Sequence, residues 1–256
     1  MTDPTQRFSS RVTNYVKYRP SYPAAIIDLL AAECGLMPDS IVADIGSGTG
    51  LLSELFLKAG QRVWGIEPNR EMREAGEQLL RGYDRFVSIA ATAEATTLPD
   101  HSVDFITAGQ AFHWFDRERA GAEFARILKP QGWLVLIWNE RRVDSTPFLR
   151  AYEQLLRTYS TDYAQVDHKQ VDLDVIQVAF PTVAFNTRSF DNRQRFDFAG
   201  VQGRLLSSSY APEAGHPNHA PMLAELASIF DAYQQHGEIV FEYDTRVYYG
   251  QLAIES

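Results

Sequence analysis

Apolar positions in the first half of the chain alternate between two rhythms. Ile26, Ile27, Leu29, Leu30 and Cys34 recur at helical spacing over residues 24–34, behind Pro23, a residue suited to a first helical turn. "IVADIG" is a short apolar run closed by glycine and predicts a buried strand; "LLSELFLKAG" predicts a helix with Gly60 past its end. "RVWGIE" predicts a strand, Arg70–Leu80 a helix, "RFVSIA" and "VDFITAG" two strands, Arg117–Leu128 a helix and "WLVLIW" a fifth strand. Strands alternating with amphipathic helices imply right-handed crossovers and a parallel sheet covered on both faces. The expectation is an open, doubly wound α/β fold.

After Asn139 the rhythm changes. "TPFLRAYEQLLRTY" reads as a helix and "VAFNTRSFDNRQRFDF" alternates like an exposed antiparallel strand. "PMLAELASIFDAYQQHG" reads as another helix, and "IVFEYDTRVYYG" as a final strand rich in aromatic and β-branched residues. The last two strands are expected to pair at the sheet edge, with helices near 145–180 forming a cap. The whole chain, 1–256, reads as one domain: an arm over residues 1–22, a core over 35–140, a cap over 141–220, and a last helix and edge strand over 221–256.

Charge narrows the partners. Lys and Arg total 24 against 33 Asp and Glu, a formal charge of -9, which repels nucleic-acid backbones and anionic membranes unless a basic patch intervenes. The densest basic pair is Arg141–Arg142, so neither partner is expected. One cysteine, Cys34, in an apolar helix, excludes an internal disulfide and a cysteine-rich metal site. "MTDPTQRFSS" has no apolar core and does not read as a signal peptide; "WLVLIW" is too short to span a bilayer. The expected home is the cytoplasm.

The turn "GSGTG" after the first strand is the candidate site, because open α/β sheets bind ligands beyond the carboxyl ends of their strands. A dinucleotide fingerprint would put its third glycine at position 51, where this chain has Leu51. No Gly-Lys-Ser/Thr follows, which excludes a Walker-type loop. Glu67, at the end of the second strand, sits where an acid accepts ribose hydroxyls. Asp44 would repel a pyrophosphate and favour a ligand with an amino group or a sulfonium; alternatively it only ties down the turn's amides.

"VADIGSGTG" resembles the first motif of class I S-adenosylmethionine-dependent methyltransferases. "GIEPN" resembles their second-strand acidic motif, and "ATAEATTLPDHSVDFITAGQAFHWF" their third and fourth strand-end motifs. "YVKYRPSYP" and "AFHWFD" resemble the branch holding trans-aconitate methyltransferase-like and other small-molecule enzymes of the type 11 domain group. The resemblance covers roughly residues 35–140. It implies a Rossmann-like seven-stranded sheet, mostly parallel with an antiparallel final strand, and S-adenosyl-L-methionine as cofactor. It also implies that Gly46, Ser47 and Gly48 approach the methionyl chain and that Asp44 meets its amino group, directly or through water. Glu67 would take the ribose, Pro68 and Asn69 the adenine border, and Ala93 and Glu94 the adenine edge. The family often has an aspartate where this chain has Thr92. Gln110 would face the methyl group. Tyr15, Tyr18 and Arg19 belong to an arm that in related enzymes folds over the cofactor, Arg19 pairing with the methionyl carboxylate, unless they only anchor the arm.

His113 is a candidate general base and Trp114 a candidate face for the sulfonium or substrate; otherwise "HWF" simply packs the start of the next helix. Arg141 and Arg142 either clamp an acidic substrate or form a solvated loop pair. His216 and His219 in "GHPNH" lack further ligands and read as a turn. The leading expectation is methyl transfer to a small-molecule acceptor, on oxygen. The alternatives are an NAD(P)-dependent oxidoreductase on the same fold and a nucleoside-binding protein without turnover. A nucleic-acid substrate is disfavoured by charge and by the absence of an Asn-Pro-Pro-Tyr-type motif after the fourth strand.

Overall fold

The computed structural model describes residues 17–161, 163 and 173–252; Tyr15 lies outside the described residues. Helix α1 (Ala25–Cys34) buries Ile26, Leu30 and Cys34 at four-residue spacing and closes on Gly35. Strand β1 (Ile41–Ile45) leads to α2 (Leu51–Lys58), and β2 (Arg62–Ile66) to α3 (Arg70–Leu80). Then come β3 (Phe86–Ile89), β4 (Val103–Gly109), α4 (Arg117–Ile127) and a long β5 (Leu128–Arg141). The remainder is α5 (Pro147–Tyr159), α6 (Leu173–Ala179), β6 (Asn186–Phe196), α7 (Phe198–Leu206), α8 (His219–Tyr233) and β7 (Ile239–Gln251).

The seven strands lie in the order β3-β2-β1-β4-β5-β7-β6. Strand β7 runs antiparallel to both of its neighbours, β5 and the edge strand β6, and the other pairs are parallel. One face packs Val42 and Val135 against Ile26, Leu30 and Phe56 of α1 and α2. The other packs Ile106, Leu134 and Leu136 against Phe124 and Ile127 of α4. The chain is thus a doubly wound, Rossmann-like α/β sheet, and strand order reverses between β1 and β4.

The cap differs in membership from the expected one. Helix α6 lies on the sheet face, where Phe180, just beyond its end, stacks on Phe124 with ring centroids 6.3 Å apart. The cap is α5, α7 and α8 around Tyr152, Leu156, Val201, Leu205 and Leu226, seated on Phe241 and Tyr243 of β7. Helix α5 starts where Thr146 accepts the Leu149 amide at 3.1 Å with Pro147 at the first position. Its stripe of Phe148, Leu149, Tyr152, Leu155 and Leu156 is buried, and each aliphatic or phenyl side chain contributes about 1.5–3 kcal/mol.

Candidate functional site

The turns after β1, β2, β3 and β4 surround one cleft of about 880 Å³, counting the open solvent within it. Gly46, Gly48, Glu67, Pro68, Asn69, Ala93, Glu94, Gln110 and Trp114 line it. The size suits a nucleoside-sized ligand, and the cleft sits at the reversal of strand order, where such sheets bind ligands.

Two glycines make the floor. Gly46 and Gly48 take φ of 67° and 57°, left-handed values costly for other residues. A Cβ on Gly46 would lie 2.6 Å from the Ala111 Cβ, and one on Gly48 3.3 Å from the Met72 Cε. Backbone therefore forms a surface that a ligand can approach closely. Ser47 is a neighbour of this floor but not part of the lining; its Oγ stands beside Gly65 of β2, 3.1 Å from where a Cβ there would be.

Glu67 joins the two ends of the floor. One carboxylate oxygen accepts the Gly48 amide at 2.9 Å, the other the Asn69 amide at 2.8 Å. Each oxygen keeps a further lone pair. Burial raises its pKa above the ordinary range, against the pull of those two amides. Asn69 caps α3 by accepting the Met72 amide at 2.9 Å. Opposite, Glu94 accepts the Asp116 amide at 2.9 Å, tying the β3 turn to the start of α4. Gln110 adopts φ 57°, a strained value for a side chain of this size, and its amide donates to the Asn139 carbonyl at 3.1 Å.

Several expected site residues stand elsewhere. Asp44 is wholly buried and does not line the cleft; it accepts Ser53 Oγ at 2.6 Å and Thr107 Oγ1 at 3.1 Å. Burial pushes its pKa up to about 7, against those hydroxyls. Its carboxylate thus anchors the turn from below. Tyr18 and Arg19 do not line the cleft either. The Tyr18 ring fills the space left by Gly203 of α7, and Arg19 donates to the Ser207 carbonyl at 3.1 Å, so this part of the arm docks on the cap.

His113 and Trp114 form a short 3-10 turn with rings 4.6 Å apart. Trp114 reaches the cleft; His113 does not line it, and its Nδ1 is buried. Arg141 and Arg142 do not act as a pair, because consecutive residues at a strand end point to opposite faces. Arg142 bonds Asp191 and Asp244 across the neighbouring strands. Arg141 turns under the cap, where Nη2 donates to Glu153 at 2.6 Å and to Tyr163 Oη at 3.1 Å.

Thr92 lines the cleft as well; the residues missed from sequence are Met72, Gly109, Ala111 and Phe115, which complete the lining, and Tyr22, whose hydroxyl overhangs Gly109. "YRPSYP" carried no pattern that marks one tyrosine over another. Among the described residues no group of His, Cys, Asp and Glu could hold a metal ion, and no helix is long and apolar enough to cross a membrane.

A glycine floor with little room for side chains, an acid at the second strand end and a lined cleft at the strand-order reversal form one ligand-sized site on a doubly wound α/β fold. Residues 43–136 match the methyltransferase domain family. An uncharacterized methyltransferase of Mycobacterium bovis is 38% identical over 139 residues, 54% of each chain. Another, from Schizosaccharomyces pombe, is 32% identical over 156 residues, 60% of this chain and 59% of that one. The match thus spans about half the length of these curated relatives. A solved structure from Anaeromyxobacter dehalogenans, named for the Type II methyltransferases, has a TM-score of 0.68 at 23% identity, covering 93% of this chain and 98% of that one. Geranyl diphosphate C-methyltransferase from Streptomyces coelicolor A3(2) has a TM-score of 0.51 at 14% identity, covering 90% and 76%. Those two likenesses show the fold.

Proposed function

We propose that the chain transfers a methyl group from S-adenosyl-L-methionine to an oxygen of a small-molecule acceptor. The observation that carries this is the floor of Gly46 and Gly48 joined to the buried Glu67 carboxylate. Gly46 and Gly48 admit the methionyl chain against bare backbone. Glu67 takes the ribose hydroxyls on its remaining lone pairs, and Pro68, Asn69, Ala93 and Glu94 border the adenine. Asp44 and Ser47 act through the turn rather than on the ligand. Gln110 and Trp114 face the methyl group.

When bound, the cofactor supplies an electrophilic methyl on a sulfonium; the acceptor oxygen bonds to that carbon as the carbon–sulfur bond breaks, leaving S-adenosylhomocysteine. Alignment and exclusion of water dominate such an in-line displacement. The fixed carbonyl-bonded Gln110 and the Trp114 ring supply both. An acceptor that is already ionised needs no base, which agrees with His113 standing behind the lining; a neutral hydroxyl would require it. A binding protein without turnover would use the same floor, and release of S-adenosylhomocysteine with an acceptor separates the two readings.

Calorimetric titration with S-adenosylmethionine, S-adenosylhomocysteine and NADH tests the reading. Binding of the two sulfur nucleosides alone is expected, and Gly48→Val should abolish it while the chain still melts cooperatively. NADH binding in their place would sink the proposal and turn attention to redox substrates.

A further inference from the structure

Asn139, near the end of β5, is buried behind the cleft wall and does not line it. Its side-chain amide uses its full hydrogen-bonding capacity. Oδ1 accepts Thr245 Oγ1 of β7 at 2.5 Å and Asn192 Nδ2 of β6 at 3.1 Å. Nδ2 donates to the carbonyls of Pro20 and Ser21 at 3.4 and 3.3 Å. Two lone pairs and two N–H groups thus meet four partners. Thr245 stands opposite Asn139 in the β5–β7 ladder and is itself buried, so that half of the arrangement belongs to the sheet. The other half reaches the irregular segment 19–22.

Side chains fasten this segment and its neighbour Tyr18 along their length. Gln194 donates to the Tyr18 carbonyl at 3.4 Å, Asn192 to the Ser21 carbonyl at 2.7 Å, and Arg19 to the Ser207 carbonyl beside α7 at 3.1 Å. The segment then meets the cleft wall. The Tyr22 hydroxyl lies 2.5 Å from where a Gly109 Cβ would stand, so glycine is what leaves room for it. Gln110 follows, with a φ of 57° that is costly for a residue with a side chain and persists only where the surroundings hold it. They hold it from two sides. Tyr22 covers the preceding glycine, and the Asn139 carbonyl accepts from Gln110 Nε2 at 3.1 Å. With Nε2 so committed, the carbonyl end of the Gln110 side chain is the end left to the cleft that it lines.

We propose that Asn139 is a positioning residue for methyl transfer. By pinning Pro20 and Ser21 to the sheet, it keeps Tyr22 against Gly109 and Gln110 in its left-handed conformation, with Oε1 toward the sulfonium. This rests on the methyltransferase reading. A carbonyl oxygen carries partial negative charge and attracts a sulfonium, whereas the thioether of S-adenosylhomocysteine has no charge for it to meet. Asn139 therefore sets how strongly the site prefers the methyl donor over its product, without touching either. Its nearest chemical relatives do not replace it. Aspartate lacks the N–H groups for the two carbonyls, and glutamine would have to fit one more methylene into a buried site.

The test is calorimetry of the full chain with S-adenosylmethionine and S-adenosylhomocysteine. These differ only in the methyl group and its charge, so general loosening of the site moves both affinities alike. Asn139→Ala should weaken S-adenosylmethionine binding by about threefold or more beyond any loss for S-adenosylhomocysteine. Asn192→Ala, at a half-exposed position of the edge strand, should shift the ratio the same way by less, and it carries the test if the buried substitution fails to fold. Gln110→Gly permits the left-handed backbone and removes the side chain; adding Asn139→Ala to it should leave the ratio where Gln110→Gly put it. An unchanged ratio in either folded single variant, or a further shift of the ratio on the Gln110→Gly background, would overturn the proposal while the methyltransferase reading stands. A native chain that binds neither nucleoside would overturn both.

Discussion

Both oxygens of Glu67 accept backbone amides from opposite ends of the cleft floor, so this side chain shapes the site as well as facing it. Glu67→Ala is expected to weaken S-adenosylmethionine binding by roughly 1–3 kcal/mol, the loss for hydrogen bonds to a charged acceptor. Glu67→Gln should cost a similar amount, since its amide would turn a donor toward the Gly48 or Asn69 N–H. Calorimetry showing less than ~0.5 kcal/mol for the alanine variant would mean the ribose lies elsewhere. The sequence made Glu67 legible because a strand end dictates where the next residues emerge. The same reasoning brought Gly46, Gly48, Pro68, Ala93, Glu94 and Gln110 to the cleft. It could not assign faces. Asp44 and the Arg141–Arg142 pair depend on which side of the pleat meets cleft, sheet core or cap, and a one-residue step reverses that.

At the scale of elements, the turn between β3 and β4 is held by a side-chain staple on α4. Thr96 donates its amide to Glu123 at 2.7 Å, and Arg126 bonds Glu123 at 2.7 Å, Asp100 at 2.6 Å and the Leu98 carbonyl at 2.8 Å. Arg126 foremost, with Thr96, holds the Glu123 pKa down to about 2 against burial. Glu123→Ala should destabilise the chain by roughly 1–3 kcal/mol at pH 7, because it leaves the buried Thr96 amide without an acceptor. Part of that difference should fade as the pH falls from 4.5 through about 2, because the native chain alone pays to protonate Glu123 over that range. A denaturant titration in which the variant matches the native chain at pH 7 would refute it. The sequence predicted α4 but not its staple, since nothing marks Glu123 as facing a turn 27 residues earlier. It also began β5 at Trp133; the strand starts at Leu128, with a register shift opposite Val103 and Phe105.

Across the whole molecule, alternation of apolar strands and helices made the parallel core readable, since each βα unit repeats the same physical demand. The antiparallel final strand and its pairing with β6 at the sheet edge were expected; the place of β7 inside β6, next to β5, was not readable, because strand order depends on tertiary register rather than on local pattern. That global arrangement also sets the pH response, through acids buried in it. Asp44 in the central strand has a folded pKa of about 7 against an ordinary 3.8, so the folded chain holds a proton that the unfolded chain has released. Stability from that source is fully present below pH 3.8 and is lost as pH rises through 7. Glu67 and Glu140, raised chiefly by burial, act in the same sense. Glu123 acts oppositely: its contribution is present above 4.5 and lost toward pH 2. Asp44→Asn removes one titration from the alkaline limb while keeping an acceptor for one hydroxyl and a donor for the other. The variant should therefore gain stability relative to the native chain as pH rises from 4 to 8, with the acid limb unchanged. Parallel unfolding curves at pH 4, 6 and 8 would decide it: a constant difference between the two chains would mean that Asp44 stays ionised in the fold, with its charge balanced by something other than Ser53 and Thr107.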